Sequence, residues 1–428
     1  LSSPRTTVLH ILTRLDMGGS ARNTLLTCSG LAGRYRMVLV HGLARESAMS
    51  AAEEAAVAAA RREAVRRGVA LIPLAALVRA VRPLQDARAL VSLVRIIRAE
   101  RPDIVHTHTS KAGILGRLAA RLAGVRPIVH TPHGHVFYGH FGPSAARTFL
   151  ALERCFARFT DRLVALTEGE RRDYLALGVG SAETTCVIPS GVDLEAFAAA
   201  AAGAAAVKSS LGLDPGSQVV GFVGWLLPVK GPLNLLNAMA AVWERHPGAV
   251  LVFAGKGAQE AELRARARAL GAGGRVQFLG WREDVAVLLK GFDLLVLPSL
   301  NEGMGRVLVE AMAAGVPVVA SRTGGIPDLV RHEETGLLVE PGDTAGLSAA
   351  VSRLLASPAE AGRLARAGRR HCRRFGLDRM LEKLDDLYGG LIGEAGAAAP
   401  ARRLETMIGG ARVGARGQAD AQAPVRHL

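Results

Sequence analysis

Two carboxylates stand eight positions apart in Asn301-Glu302-Gly303-Met304-Gly305-Arg306-Val307-Leu308-Val309-Glu310. Glu302 sits in a Gly-rich stretch just after an apolar run at 294–297. Glu310 falls inside a helical pattern that leads to a second apolar run at 316–320. Strand, loop, helix, strand is the local order in which α/β sheets bind ligands beyond their strand ends. Eight residues of helix rise about 12 Å, too far for the paired carboxylates of a retaining glycoside hydrolase, which stand about 5 Å apart. That spacing suits two parts of one long ligand, such as the sugar and the ribose of a sugar nucleotide. Two solvated surface glutamates would also satisfy it.

Further candidates follow other apolar runs. Gly18-Gly19-Ser20 opens a helical pattern. Backbone amides at such a start can bind an anion, and Gly lets it approach closely; a plain tight turn is the alternative. The stretch is not G-x-G-x-x-G, so a nicotinamide cofactor is poorly supported. In His106-Thr107-His108-Thr109-Ser110-Lys111, Ser110 can cap the next helix and leave Lys111 in its first turn. A Lys there opposes the helix dipole, as a ligand contact or simply as an exposed side chain. His130, His133 and His135 cluster past another run. Zinc would need three or four convergent ligands, and no Cys or Glu lies near. Gly255-Lys256-Gly257 offers Lys256 to phosphate or to solvent.

The elements that must position these residues alternate. Apolar runs at 8–12, 37–40, 69–71, 104–106, 128–131 and 163–166 are separated by helical patterns such as 51–67, 87–97 and 112–122. After an Ala-rich stretch at 196–206 and the turn at 214–216, a second alternation begins. Its runs are 219–223, 250–254, 276–279, 294–297 and 316–320. Alternating strands and helices predict parallel, doubly wound sheets, here two of them. The expected divisions are a first domain at 1–195, a linker at 196–217, a second domain at 218–376, an amphipathic helix at 377–396 and a disordered tail at 397–428.

Composition agrees with globular cores: 428 residues, 49% hydrophobic and 21% charged. Aromatics at 4% argue against a stacking platform for single-stranded nucleic acid. Only six of the 53 basic residues are Lys, and the net charge of +15 attracts anions such as nucleotide diphosphates or anionic lipid surfaces. The four cysteines have neither metal-ligand nor disulfide-framework spacing. No apolar run is long enough to span a bilayer, and Thr13, Arg14 and Asp16 interrupt any signal-type region. The chain begins with Leu, as a fragment or a misread start would.

On Glu302 to Glu310 together with the strand-end motifs, the chain resembles the retaining glycosyltransferases of the GT-B fold, family 4, over about residues 8–391. The resemblance implies two Rossmann-like domains facing a central cleft, with the last helix crossing back to the first domain. It implies catalytic roles for His133, Glu302 and Lys230. Glu302, with the backbone of Gly303, Met304 and Gly305, would face the donor sugar; Glu310 would accept from the ribose hydroxyls. Lys230, in Gly224-Trp225-Leu226-Leu227-Pro228-Val229-Lys230-Gly231, would meet the leaving diphosphate. Gly18 and Gly19 would line the cleft near the donor phosphates, and Gly255, Lys256 and Gly257 would lie close to the nucleotide. Asn23, His108 and Lys111 would lie on the acceptor side. Trp225, also among the expected donor-binding positions, stands where the pattern usually carries Arg, so one phosphate contact is lost or supplied elsewhere. Arg306, usually a small or apolar position, is assigned nothing.

The implied activity is transfer of a sugar, with retention, from a nucleotide-sugar donor, expected to be a UDP-sugar, to a saccharide or lipid-linked acceptor in cell-surface polysaccharide or glycolipid assembly. No cofactor or metal and no nucleic acid is expected. The expected location is cytoplasmic, with possible peripheral contact to an anionic membrane through the basic, aromatic stretch 147–159. Three rivals stand beside this reading: a GT-B sugar-nucleotide 2-epimerase, a basic module binding lipid or nucleic acid, and an inactive paralogue.

Overall fold

The structure, a computed structural model, describes residues 5–44, 49–134 and 143–410, with the side chains of 143–145 and 395–410 left aside. The chain up to Asp385 forms one compact unit, and a second begins at Asp386.

The first unit is built on two sheets. In the first, β1 (Thr7–Leu12), β2 (Arg36–His41), β3 (Ala70–Pro73), β4 (Ile104–His108), β5 (Ile128–Thr131), β6 (Arg162–Ala165) and β7 (Thr185–Val187) lie in the order β3-β2-β1-β4-β5-β6-β7. In the second, β8 (Val219–Val223), β9 (Val250–Ala254), β10 (Val276–Gly280), β11 (Leu294–Leu297), β12 (Val318–Ser321) and β13 (Leu337–Val339) lie in the order β10-β9-β8-β11-β12-β13. Every strand pairing in both is parallel. Helices cover both faces, so central strands such as Val8-Leu9-His10-Ile11-Leu12 are buried throughout and read as continuous runs rather than alternations.

Each order reverses once, between β1 and β4 and between β8 and β11. Crevices outside the carboxyl ends of the strands open at such switch points. The loops after these four strands carry Gly18 and Gly19, Thr109, Lys230 and Glu302. The α/β expectation and the returning last helix are both observed. In helix Leu377–Gly410, Leu381 packs on Gly30, and Asp385 accepts a 2.7 Å hydrogen bond from the Tyr35 hydroxyl of the first domain.

Some expectations need correction. β7 and β13, three residues each, carried no readable signal. The stretch expected as a bare linker holds two short helices, Leu194–Ala198 and Ala204–Ser210. Lys208 in the second pairs with Asp293 at 2.9 Å. Where a disordered tail was expected from 397, helix continues to Gly410, as its Ala-rich composition favours; 411–428 lie outside the described residues. Within 147–159, helix Pro143–Ala157 turns Glu153 and Phe156 inward, where Arg117 pairs with Glu153 at 2.8 Å and lies 5.1 Å over the Phe156 ring. Phe156 and Phe159 of that stretch are therefore domain packing.

Candidate active site

On the first-domain side, β1 leads to Gly18, the N-cap of helix Gly19–Leu31. Its amide donates to Asp16 Oδ1 at 2.9 Å, which fixes the turn. A Cβ placed on Gly19 would meet nothing within 4 Å, so open space lies beside it. Asn23, one turn on, is buried and its Oδ1 has no protein partner.

Behind this turn lies a row of imidazoles. His10 and His106 are register partners on β1 and β4, and His108 follows two positions on, so all three share one sheet face. The His10 and His108 rings share a 2.8 Å hydrogen bond, and the His108 and His133 rings share one of 2.9 Å. His106 bonds the Thr131 hydroxyl at 2.8 Å. Burial pushes the pKa of His10 down to about 3. Burial, then the nearby Arg306 charge, brings His133 down to about 3. Burial and the neighbouring rings lower His106 and His108 well below the usual value. The row is therefore neutral at pH 7, and each ring holds one N–H and one lone pair. His133 ends the row with φ +60°. Its neighbour Gly134 is held by the buried Glu170 carboxylate, which also accepts from the Leu166 amide at 2.6 Å.

His10, His106 and His108 each bring one ligand atom within 4.8 Å of the others, the geometry of a possible metal tripod. Hydrogen bonds already engage both nitrogens of His108, Nδ1 of His10 and Nε2 of His106. His130 lies on the opposite face, bonded to the Thr107 hydroxyl at 2.9 Å. His135 lies outside the described residues.

On the second-domain side, Lys230 closes a short turn after β8, and its Nζ lies 2.5 Å from Glu302 Oε2. Ser299 donates to the same oxygen at 3.1 Å. The turn at Gly324 and Gly325 packs directly beneath the Glu302–Gly303 backbone, and the Gly325 amide donates to the Glu302 carbonyl at 3.0 Å. A Cβ on Gly303 would stand 3.1 Å from Gly134 Cα, so the two domains touch at these glycines. Gly305, at φ +72°, caps helix Arg306–Ala314. Met304 is buried in the core, so it offers the cleft only its backbone. Glu310, 8% exposed, lies one turn beyond Arg306.

Loops after β8 and β9 pair through backbone hydrogen bonds, Gly224 to Ala254 at 3.0 Å and Leu226 to Lys256 at 2.9 Å. They bring Trp225 beside Gly255, Lys256 and Gly257. Trp225 is 38% exposed and packs into no core. Lys256 forms an ion pair with Glu53 of the first domain, which is fully buried. Lys111 turns away to Asp86, at 2.5 Å, and to the Ala80 carbonyl. Its charge is committed within the first domain.

Both halves wall a cavity of about 290 Å³. Thr109, His133 and Gly134 come from the first domain; Lys230, Glu302 and Gly303 come from the second. The three side chains expected to be catalytic thus meet in one place. Thr109 and His133 are also two of the four described non-glycine residues with positive φ. Such strain, about 1–3 kcal/mol each, clusters at functional sites. Sequence reasoning missed Glu53, Glu170 and Ser299, and left Arg306 unassigned. Glu53 meets Lys256 203 positions away and Glu170 meets Gly134 36 positions away, so no local pattern marks these contacts.

Comparison with known proteins identifies the family of the chain. The family model for "Glycosyltransferase Family 4" matches residues 17–196, and that for "Glycosyl transferases group 1" matches residues 205–371. The chain is similar to UDP-Gal:alpha-D-GlcNAc-diphosphoundecaprenol alpha-1,3-galactosyltransferase of Escherichia coli. The two are 35% identical over 313 residues, 71% of this chain and 80% of that protein. The chain belongs to the family 4 glycosyltransferases of GT-B fold. A D-inositol 3-phosphate glycosyltransferase of Actinosynnema mirum is 36% identical over 304 residues, 67% of this chain and 72% of that one. Among solved structures, Anabaena Alr3699/HepE in complex with UDP shares the fold of this glycosyltransferase. Its TM-score is 0.75 at 24% identity, covering 90% of this chain and 100% of that one. No helix among the described residues is long and apolar enough to cross a membrane.

Proposed function

We propose that this glycosyltransferase moves a hexosyl group from a UDP-sugar to a saccharide or lipid-linked acceptor, with retention at the anomeric carbon, in the assembly of cell-surface polysaccharide or glycolipid. The observation that carries this reading is the meeting of His133, Lys230 and Glu302 around one cavity at the switch points of both sheets. The Escherichia coli relative is named for a UDP-galactose donor and a lipid-diphosphate acceptor, and Anabaena Alr3699/HepE was solved with UDP-glucose. Both support a uridine nucleotide here.

Front-face displacement suits the site. Neutral His133 can donate to or accept from a sugar hydroxyl. Glu302 and the backbone of 303–305 position the donor sugar, and Lys230 and the amides opening helix Arg306–Ala314 stabilise the departing diphosphate. The phosphate oxygen takes the acceptor proton, so no protein base is required. No cofactor is called for, and activity is expected to persist in EDTA. The reading places the enzyme in the cytoplasm, touching the anionic inner membrane face where a lipid-linked acceptor resides. Salt-sensitive co-sedimentation with anionic liposomes checks that contact.

Incubation with a panel of UDP-sugars and lipid-diphosphate acceptors tests the function. Released UDP and an α-linked product from an α-donor, read by NMR of the anomeric proton, are expected. A β-linked product refutes retention. Epimerised donor formed without acceptor refutes transfer.

A further inference from the structure

Arg306 begins helix Arg306–Ala314, where a cation faces the positive end of the helix dipole. Its side chain is only 14% exposed. Nε is buried with no partner. Nη1 reaches the Gly19 carbonyl at a marginal 3.5 Å, and Nη2 stands 3.9 Å from Glu310 Oε1, beyond hydrogen-bond range. Burial lowers the pKa of the guanidinium, against the pull of Glu310, and Arg22 adds like charge nearby. A cation so withdrawn from water without a close anion opposes folding. Lys230 and Lys256 differ, because each is paired with a carboxylate, Glu302 and Glu53.

The position explains the exception. Arg306 spans the gap between the Gly19 turn of the first domain and Glu310 of the second, and its field reaches His133. In a nucleotide sugar the diphosphate lies between ribose and sugar. With Glu310 on the ribose and His133 and Glu302 on the sugar, the diphosphate passes Arg306. Trp225, at the mouth of the β8 loop, offers no charge to it.

We propose that the Arg306 guanidinium is a binding residue for the donor diphosphate, held in the free enzyme without a carboxylate at hydrogen-bond distance and so open to receive it. The planar fork suits two phosphate oxygens, and the unpartnered Nε supplies one of the donors. This assignment rests on the nucleotide-sugar reading above.

Calorimetric titration of UDP and of uridine into wild type, Arg306→Met and Arg306→Lys tests it, with the Tm of each free protein. Arg306→Met is expected to weaken UDP binding by about 10- to 100-fold, to leave uridine binding unchanged, and to melt no lower than wild type. Arg306→Lys, which keeps charge but loses the fork, is expected to fall between. Unchanged UDP affinity in Arg306→Met overturns the assignment. Equal losses for UDP and uridine overturn it too, as does a lowered Tm in Arg306→Met with wild-type UDP affinity in Arg306→Lys. Wild-type protein that binds none of UDP, GDP and ADP overturns the donor reading itself, and this assignment with it.

Discussion

Lys230 Nζ lies 2.5 Å from Glu302 Oε2, joining the loops after β8 and β11 across the switch point of the second sheet. Both side chains are largely buried, 24% and 11% exposed, so the pair is only partly screened. A lysine that meets the diphosphate must share its charge between that ligand and Glu302. Glu302 in turn keeps the lysine aimed at the cavity while the site is empty.

Lys230→Ala is expected to lower kcat about 100-fold, the scale of one lost transition-state contact. It also leaves Glu302 with only the Ser299 hydroxyl. Steady-state kinetics with a working donor checks this. A kcat within a few-fold of wild type would assign the phosphate charge to another cation.

Glu310→Ala is expected to weaken UDP binding by about 1.5–3 kcal/mol, the worth of a hydrogen bond to a charged group. The ribose hydroxyls lose an acceptor, Glu310, that is itself only 8% exposed. Titration with UDP and with 2′,3′-dideoxy-UDP separates this effect from any change at Arg306. The variant should lose the preference for UDP, and a preserved preference would remove Glu310 from the ribose.

The parts of this site legible in sequence share one physical property. Glu302, Lys230, His133 and Gly19 each sit two to seven residues past the end of a buried strand, and such strands read as short, mostly apolar runs. Their meeting point followed from the parallel topology. Illegible residues act across distance in the chain. Glu53 reaches Lys256 from the first domain, and Glu170 returns to Gly134 from a different helix. Arg306 reads as an ordinary N-terminal helix residue until its lack of a close partner is seen. Lys111 reads as a ligand because it opposes a helix dipole, yet Asp86 already balances it. β7 and β13 are too short for any period to show.

Acid is expected to destabilise the protein early. The folded pKa values of His10 and His133 are lowered to about 3, whereas the unfolded rings titrate near 6.5. Above 6.5 neither state binds the proton, and the full stability is present. As pH falls from 6.5 towards 3 only the unfolded chain gains protons, so stability is lost, at about 1.4 kcal/mol per pH unit for each ring. His106, His108 and His130 add in the same direction. Urea midpoints at pH 7.5, 6.5 and 5.5 check this, with His10→Gln expected to flatten the slope. Constant midpoints would mean that these rings take up protons in the folded state.

Gly19 and Gly255 separate a glycine kept open for a ligand from one required by the fold. Gly255 has φ +153°, and a Cβ there would overlap the Gly224 carbonyl oxygen. Gly255→Ala is therefore expected to destabilise by about 1–3 kcal/mol, the range of such backbone strain. A Cβ on Gly19 would meet nothing within 4 Å in the empty cleft. Gly19→Ala is expected to melt within about 0.5 kcal/mol of wild type, as neutral sites do, while losing transfer activity because the methyl group occupies space that the substrates need. Urea denaturation and a UDP-release assay on both variants supply the readout. A fully active Gly19→Ala would place the substrates away from the first-domain turn and leave that glycine as an ordinary N-cap.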